Sequence, residues 1–251
     1  MRIRKIGLLA LAIGVGGFAD TAGAQSNDWE IVVAPYVLFG SLTGDGAVGP
    51  TGPTPVDLGF GDIVKNLEFG FMGHVEAWKG AWGFVSDFIY LDLGSDITIP
   101  VLGVLDIGVQ EFVAEALLGR RFRRPQQQID VFAGVRYWNL DLDLELVSLP
   151  GTGLELGDSW VDPVLGSRIV QDVGQDWSLI ARGDVGGFGV GSDFSWNLQG
   201  GVGYDVSGTF SLVAQYRALS VDFENDAAGT ADFFSYNTVT HGPLLGFVFR
   251  F

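Results

Sequence analysis

Stretch after stretch of this chain places apolar side chains at every second position. That period constrains its fold more than any other feature. In "NLEFGFMGHVEAW", Leu67, Phe69, Phe71, Val75 and Ala77 share one face, and Asn66, Glu68, His74 and Glu76 share the other. "FSWNLQGGVGYDV" sets Phe194, Trp196, Leu198, Val202, Tyr204 and Val206 against Ser195, Asn197, Gln199 and Asp205. "WSLIARGDV" sets Trp177, Leu179, Ala181 and Val185 against Ser178, Arg182 and Asp184. A period of two is the signature of a β-strand with two unlike faces. Apolar residues make up 47% of the chain. Past the N-terminal segment no apolar run reaches the roughly 18 residues of a membrane-spanning helix.

Turn residues divide the alternation into ten predicted strands, at 28–41, 66–79, 81–94, 104–122, 129–146, 158–172, 176–189, 193–206, 209–223 and 237–251. The connections alternate in character. Lys79-Gly80, "RRPQQQ", "VGQD" and Ser207-Gly208 are short. Segments 42–65, 95–103, 147–157 and 224–236 are longer and rich in Gly, Pro, Thr and Asp. "GFGVGSD" is tight where a long connection is due. Short turns at one end and long loops at the other is the asymmetry of membrane barrels.

The N-terminus reads as a secretory signal. "MRIRK" is basic, "IGLLALAIGVGGFA" is a short apolar run, and "AGAQ" supplies an A-x-A cleavage site. The alternative is an N-terminal membrane anchor. Residues 1–24 are expected to leave and 25–251 to form one domain. Losing Arg2, Arg4, Lys5 and Asp20 moves the formal charge from −16 to −18. That balance argues against nucleic acid as a partner. With no Cys there is neither a disulfide nor a thiolate metal site.

A soluble sandwich also alternates, but its outer face carries both charge signs freely. Here the polar face holds many Gly and few Lys, and the apolar face is aromatic on strand after strand. In lipid every backbone polar group must pair inside the protein, which leaves a closed barrel. The expected fold is all-β, a closed antiparallel transmembrane barrel of about ten strands, with eight or twelve as alternatives. Trp29, Trp82, Trp177, Tyr204 and Phe210 fit an aromatic girdle at the short-turn end.

The chain ends "HGPLLGFVFRF", with Leu245, Phe247, Phe249 and Phe251 in step. With the leader, the alternation and the loop asymmetry, this ending resembles the bacterial outer-membrane β-barrel proteins. These include small OmpA-like and porin-like barrels of undefined function. The resemblance implies a Gram-negative outer membrane, both termini periplasmic, and contact with outer-membrane lipid and lipopolysaccharide. It also implies that those four residues form the insertion signal read by the barrel-assembly machinery.

The polar face then lines the lumen. It offers Glu68, His74, Glu76, Glu111, Glu115, Arg136, Asp162, Arg168, Arg182, Asp184, Arg217 and Arg250. Carboxylates lie early and arginines late, which predicts an acidic wall facing a basic one. One reading is a structural plug in which the two walls satisfy each other. The other is a narrow pore for small charged solutes. In the strand at 129–146, Arg136 and Trp138 share a phase with Leu140, Leu142 and Leu144, which predicts a β-bulge near Asn139. Pro163 in "WVDPVLGSRI" predicts a bulge or break. The glycines from Gly183 to Gly191 predict a tight hairpin, or else a polar site built from Asp162, Arg168, Arg182, Asp184 and Asp193.

A lipid A or phospholipid hydrolase is a further alternative. It needs a Ser within reach of His74 or His241, and the nearest candidates are Ser220 and Ser235. No cofactor is expected. Asp45, Asp57, Asp62, Asp96, Asp226 and Asp232, in or beside the long loops, are candidate contacts for divalent cations. The expectation is a non-enzymatic structural or surface-interaction barrel.

Overall fold

The computed structural model describes residues 28–50, 52–99, 103–148, 153–225 and 227–251. The expected leader at 1–24 and Asp226 lie outside them. The elements are β1 (Trp29–Leu38), β2 (Ser41–Val48), β3 (Thr54–Leu58), α1 (Phe60–Asn66), β4 (Leu67–Lys79) and β5 (Trp82–Ile99). There follow β6 (Gly103–Arg124), β7 (Gln127–Leu146), β8 (Leu154–Val173), β9 (Trp177–Gly187), β10 (Phe194–Ser207), β11 (Phe210–Glu224) and β12 (Phe234–Arg250). Ten of the strands form an antiparallel ring in the order β1-β4-β5-β6-β7-β8-β9-β10-β11-β12, and β12 pairs back onto β1. The terminal aromatic takes part in that closure. The Phe251 N–H donates to the Ile31 carbonyl at 2.9 Å, and the Ile31 N–H to the Phe251 carbonyl at 3.2 Å.

The connection expected at 42–65 is more ordered than its sequence implies. β2 continues β1 past a break at Phe39-Gly40, and both pair with β12, through Leu38↔Leu244 and Ser41↔His241. The far edge of β2 pairs with β3. "SLTGDGAV" has no apolar alternation, so its strand form comes from the β12 edge beside it.

The outer surface is an apolar belt. Trp29, Trp82 and Trp177 are 60%, 62% and 53% exposed at its short-turn margin. Tyr204 packs on Trp177 there, and Phe210 on Phe249. Phe69 against Tyr90, Phe71 against Phe88 and Phe112 against Tyr137 mark the opposite margin. Leu245 and Phe247 face outward between the two, and Phe249 faces outward at the short-turn margin.

The bulge expected near Asn139 is absent. β7 pairs without a register shift with β6 from Arg124↔Gln127 to Leu105↔Leu146, and with β8 from Gln127↔Gln171 to Leu144↔Leu154. Arg136, Trp138, Leu140, Leu142 and Leu144 all face inward, while Asp141, Asp143 and Glu145 are exposed outside. The apparent conflict of phase marks a boundary. Below it, lipid-type side chains cover the outside and charge fills the inside. Above it, the strand stands clear of the belt, its outer face is polar and its inner face joins an apolar core.

The break expected at Pro163 falls on one edge of its strand only. The β7–β8 ladder runs through Val135↔Pro163, whereas the β8–β9 ladder begins at Val164↔Gly186. The barrel wall is low at β9 and β10, and the turn at 188–193 sits in the notch. Phe188 adopts a φ of 54° there, between Gly187 at 84° and Gly189 at 70°.

Candidate functional site

The lumen holds the chemistry of this chain, in three layers. At the short-turn end a vestibule of about 800 Å³ is lined by Glu30, Arg123, Arg124, Gln127, Asp205 and Arg250, among others, and reaches inward to His74, Glu76 and Asp87.

The second layer is a network of ion pairs contributed by strands around the ring. Arg136 donates to Glu115 at 2.6 and 2.9 Å and to Asp184 at 2.5 Å. Arg182 reaches across the lumen to Glu115 at 2.5 Å and also holds Asp184. Asn197 donates to Asp184 and accepts from Arg217. Arg217 then pairs with Asp87 at 2.9 Å and donates to the Tyr36 hydroxyl, which donates to the same carboxylate. His74 bridges Asp87 and Glu76 at 3.3 and 2.8 Å. Glu76 takes a two-pronged contact from Arg168, at 2.5 and 2.9 Å. Asp130 joins Arg168 to Arg121, whose guanidinium lies 3.7 Å from the Trp78 ring centroid.

Among the described residues, Arg121, Arg123, Arg136, Arg168, Arg182 and Arg217 meet Glu30, Glu76, Asp87, Glu115, Asp130 and Asp184. With Arg123 and Glu30 half-exposed in the vestibule, five cations meet five carboxylates inside this layer, so its ion pairs balance. That balance is what makes burial of so many charges tolerable.

The third layer is apolar and lies toward the long loops. Trp138 stacks on Trp160 at 5.8 Å, Trp160 on Phe223 at 3.8 Å, and Phe223 packs on Phe234 at 6.3 Å. Ile89, Val113, Leu140, Leu219 and Val221 complete this core. Trp160 meets Phe223 because the upper part of β8 has no β9 partner and lies against the top of β11. Asn225 bonds to Asp158 at 3.0 Å along the same contact. Arg136 Nη1 and the indole N–H groups of Trp138 and Trp160 are buried without a partner.

Of the residues expected to line the lumen, His74, Glu76, Glu115, Arg136, Arg168, Arg182, Asp184 and Arg217 come together in the network. Glu68 does not. It is exposed at a register shift between Leu67 and Phe69. Glu111 faces inward two steps above Glu115, past Val113, with no ion pair among the described residues. Arg250 stands at the rim with Asp205 at 3.3 Å. The two opposed walls hold in part. Glu76–Arg168, Asp87–Arg217 and Glu115–Arg182 cross the lumen, but Arg121, Arg136, Asp130 and Asp184 interleave the signs.

Asp162 forms a separate device. Its carboxylate accepts from the Ser192 N–H and hydroxyl, both at 2.7 Å, and from the Ser195 hydroxyl at 3.1 Å. It thereby fastens the turn at 188–193 to the β8 edge. Gly191 permits the close approach, since a Cβ there would lie 2.5 Å from the Val161 carbonyl oxygen. Asp193 points out to solvent, so the hairpin reading of this segment describes it better than a polar site does. Asp162→Ala should loosen the turn by about 2–3 kcal/mol, the cost of leaving buried donors unpaired. Limited proteolysis should then cut at 188–191, where wild type resists.

Asp87, Arg121, Asp130, Tyr36, Glu30 and Asn197 are the contributors not singled out from sequence. Phase identifies several of them. Asp87 is out of step with the outward Phe84, Phe88 and Tyr90, Asp130 is in step with Arg136, and Arg121 with Glu115. His241 faces outward and shares a hydrogen bond with the Tyr216 hydroxyl at 2.8 Å, while Ser220 and Ser235 make no bond to it. Among the loop aspartates, Asp62 accepts from the Gly59 N–H at the start of α1. No group of three or more potential ligands is arranged for a metal among the described residues.

No family model and no curated protein matches this sequence. Solved structures do. The outer membrane protease OmpT from Escherichia coli aligns with a TM-score of 0.56 at 9% identity, over 92% of this chain and 99% of that one. An outer membrane channel from Pseudomonas putida F1 aligns at 0.40 and 14% identity, over 94% and 99%. Neisserial surface protein A aligns at 0.34 and 14%, over 88% and 97%. A ring closed through its last residue, an apolar belt between aromatic rows and the likeness to OmpT give one conclusion: this chain has the fold of the bacterial outer-membrane β-barrels.

Proposed function

We infer that the protein is a sealed, non-enzymatic barrel of the outer membrane that acts through its surface rather than its lumen. On this reading both termini lie on the periplasmic side, with the vestibule opening there and the long loops outside. The observation that carries this reading is the charge-balanced network of ion pairs across the lumen beneath a stacked aromatic layer. Water and ions crossing it would have to part buried ion pairs and then pass Trp160 and Phe223 in contact. The surface left to act is the belt with its outer margin and loops, which meets outer-membrane lipid, lipopolysaccharide and, at the loop aspartates, divalent cations.

Planar-bilayer recording of the refolded mature chain tests the reading. Wild type should give no discrete conductance steps, with insertion verified by heat-modifiable gel mobility. Steady, ion-selective steps from wild type would instead establish a narrow pore.

A further inference from the structure

The short-turn margin of the belt is not uniform around the ring. One rung of directly opposed residues crosses four neighbouring strands, β1, β4, β5 and β6. It runs Trp29↔Lys79, Lys79↔Trp82 and Trp82↔Arg120. Indole and cation therefore alternate along it. The strand period puts this rung on the outer face, because Trp78 and Arg121, next in sequence to Lys79 and Arg120, are buried on the inner one.

Each cation lies against a ring. The Lys79 ammonium stands 5.7 Å from the Trp29 ring centroid. The Arg120 guanidinium stands 5.6 Å from that of Trp82 and 5.2 Å from that of Phe122. These distances are within reach of cation–π attraction, which holds both side chains along the margin. An ammonium has three N–H donors and a guanidinium five, so a cation resting on a ring keeps donors for an anion beside it.

The placement of these two cations sets them apart. Lys65 sits on α1, at the long-loop end. The remaining cations among the described residues line the vestibule or lie in the lumen network. Lys79 and Arg120 are thus the described cations that face outward along the belt, and both fall on one rung. They do so in a chain whose formal net charge is −16. The rung is a local positive site on the lipid-facing surface of an acidic protein.

We propose that this rung binds an anionic phospholipid of the leaflet nearer the short turns, with Lys79 and Arg120 donating to its phosphodiester from either side of Trp82. Three features select that occupant. Lys79 and Arg120 are two strands apart, roughly 10 Å between backbones, within reach of two long flexible side chains on one headgroup. Trp29 and Trp82 are the kind of ring that settles at headgroup level, and both are well exposed there. Phe84 and Leu118, opposed to each other at the next outward positions, carry exposed apolar surface from the rung into the belt, where the acyl chains lie. A zwitterionic headgroup brings its own ammonium, which the two cations repel. The proposal rests on the belt lying in lipid.

The test has two steps. Flotation of the refolded mature chain with dioleoylphosphatidylcholine vesicles shows whether the belt enters lipid, and needs no anionic headgroup. Native mass spectrometry from detergent then compares binding of dioleoylphosphatidylglycerol and dioleoylphosphatidylcholine. The chains compared are wild type, Lys79→Gln, Arg120→Gln, the double variant, and Lys65→Gln as a cation removed elsewhere. Wild type should prefer phosphatidylglycerol. Either single variant should lower that preference about fivefold, the double variant should lower it further, and Lys65→Gln should keep it. Heat-modifiable mobility identifies the folded variants, and either single variant suffices if the other fails to fold. Equal affinity of wild type for the two lipids overturns the rung while leaving the membrane reading intact. So does a preference that survives in the double variant or falls equally in Lys65→Gln. A chain that does not float with the vesicles overturns both.

Discussion

Arg136→Ala is expected to destabilise the barrel by about 3–5 kcal/mol, the usual cost of removing one partner from a buried ion pair. Arg136 is fully buried and is shared between Glu115 and Asp184. Without it both carboxylates stay in the lumen with only Arg182 between them, and water cannot replace a guanidinium at that depth without opening the wall. Glu115→Ala added to Arg136→Ala should recover part of the loss, because Asp184 then keeps Arg182 to itself. Arg250→Ala is the contrasting case. Its partner Asp205 lies at the rim, both side chains are well exposed, and the effect should stay within about 1 kcal/mol. Urea unfolding in lipid vesicles, followed by tryptophan fluorescence, measures all three. Equal midpoints for Arg136→Ala and Arg250→Ala would mean that the network carries no stability.

The same contrast shows how much of the site could be read from the chain. The ten strands follow from the turn residues between them and the closed ring from the need to pair every backbone group in lipid, while the lumen face follows from alternation, since a period of two assigns every side chain to one face or the other. Arg136, Glu115, Arg182 and Arg217 were identified in that way. Depth was not legible. Glu68 has the phase of a lumen residue, but a register shift at its own position leaves it exposed. In β7 the alternation never fails, yet the meaning of each face reverses where the strand leaves the belt, which from sequence alone looks like a slip. Pairing across the lumen was also hidden. Nothing in "VSDF" indicates that Asp87 meets Arg217, because that contact depends on the circumference and tilt of the ring. β2 is hidden for a related reason: its order is borrowed from the β12 edge, which lies almost two hundred residues further along the chain.

The aromatic layer and the ion-pair layer are expected to seal the lumen independently, and a conductance series can separate them. Trp160→Ala with Phe223→Ala removes the closest ring contact. Each truncation should cost about 3–5 kcal/mol. The bilayer should nonetheless remain silent, because the ion pairs beneath still bridge the lumen. Arg136→Ala with Arg182→Ala strips the cations from Glu115 and Asp184, yet the stacked rings above are untouched, so this pair too should stay closed. Only the fourfold variant should conduct. Its steps should favour cations, since Glu115 and Asp184 are then left without arginine partners to line the path. Heat-modifiable mobility identifies the variants that have inserted. Steps from the arginine pair alone would make the ion pairs the whole barrier, and steps from the aromatic pair alone would assign it to Trp160 and Phe223. If the inserted fourfold variant stays silent, the pairs that still cross the lumen, Glu76–Arg168 and Asp87–Arg217, keep it closed together with the remaining apolar core, Ile89, Leu140 and Leu219 among it.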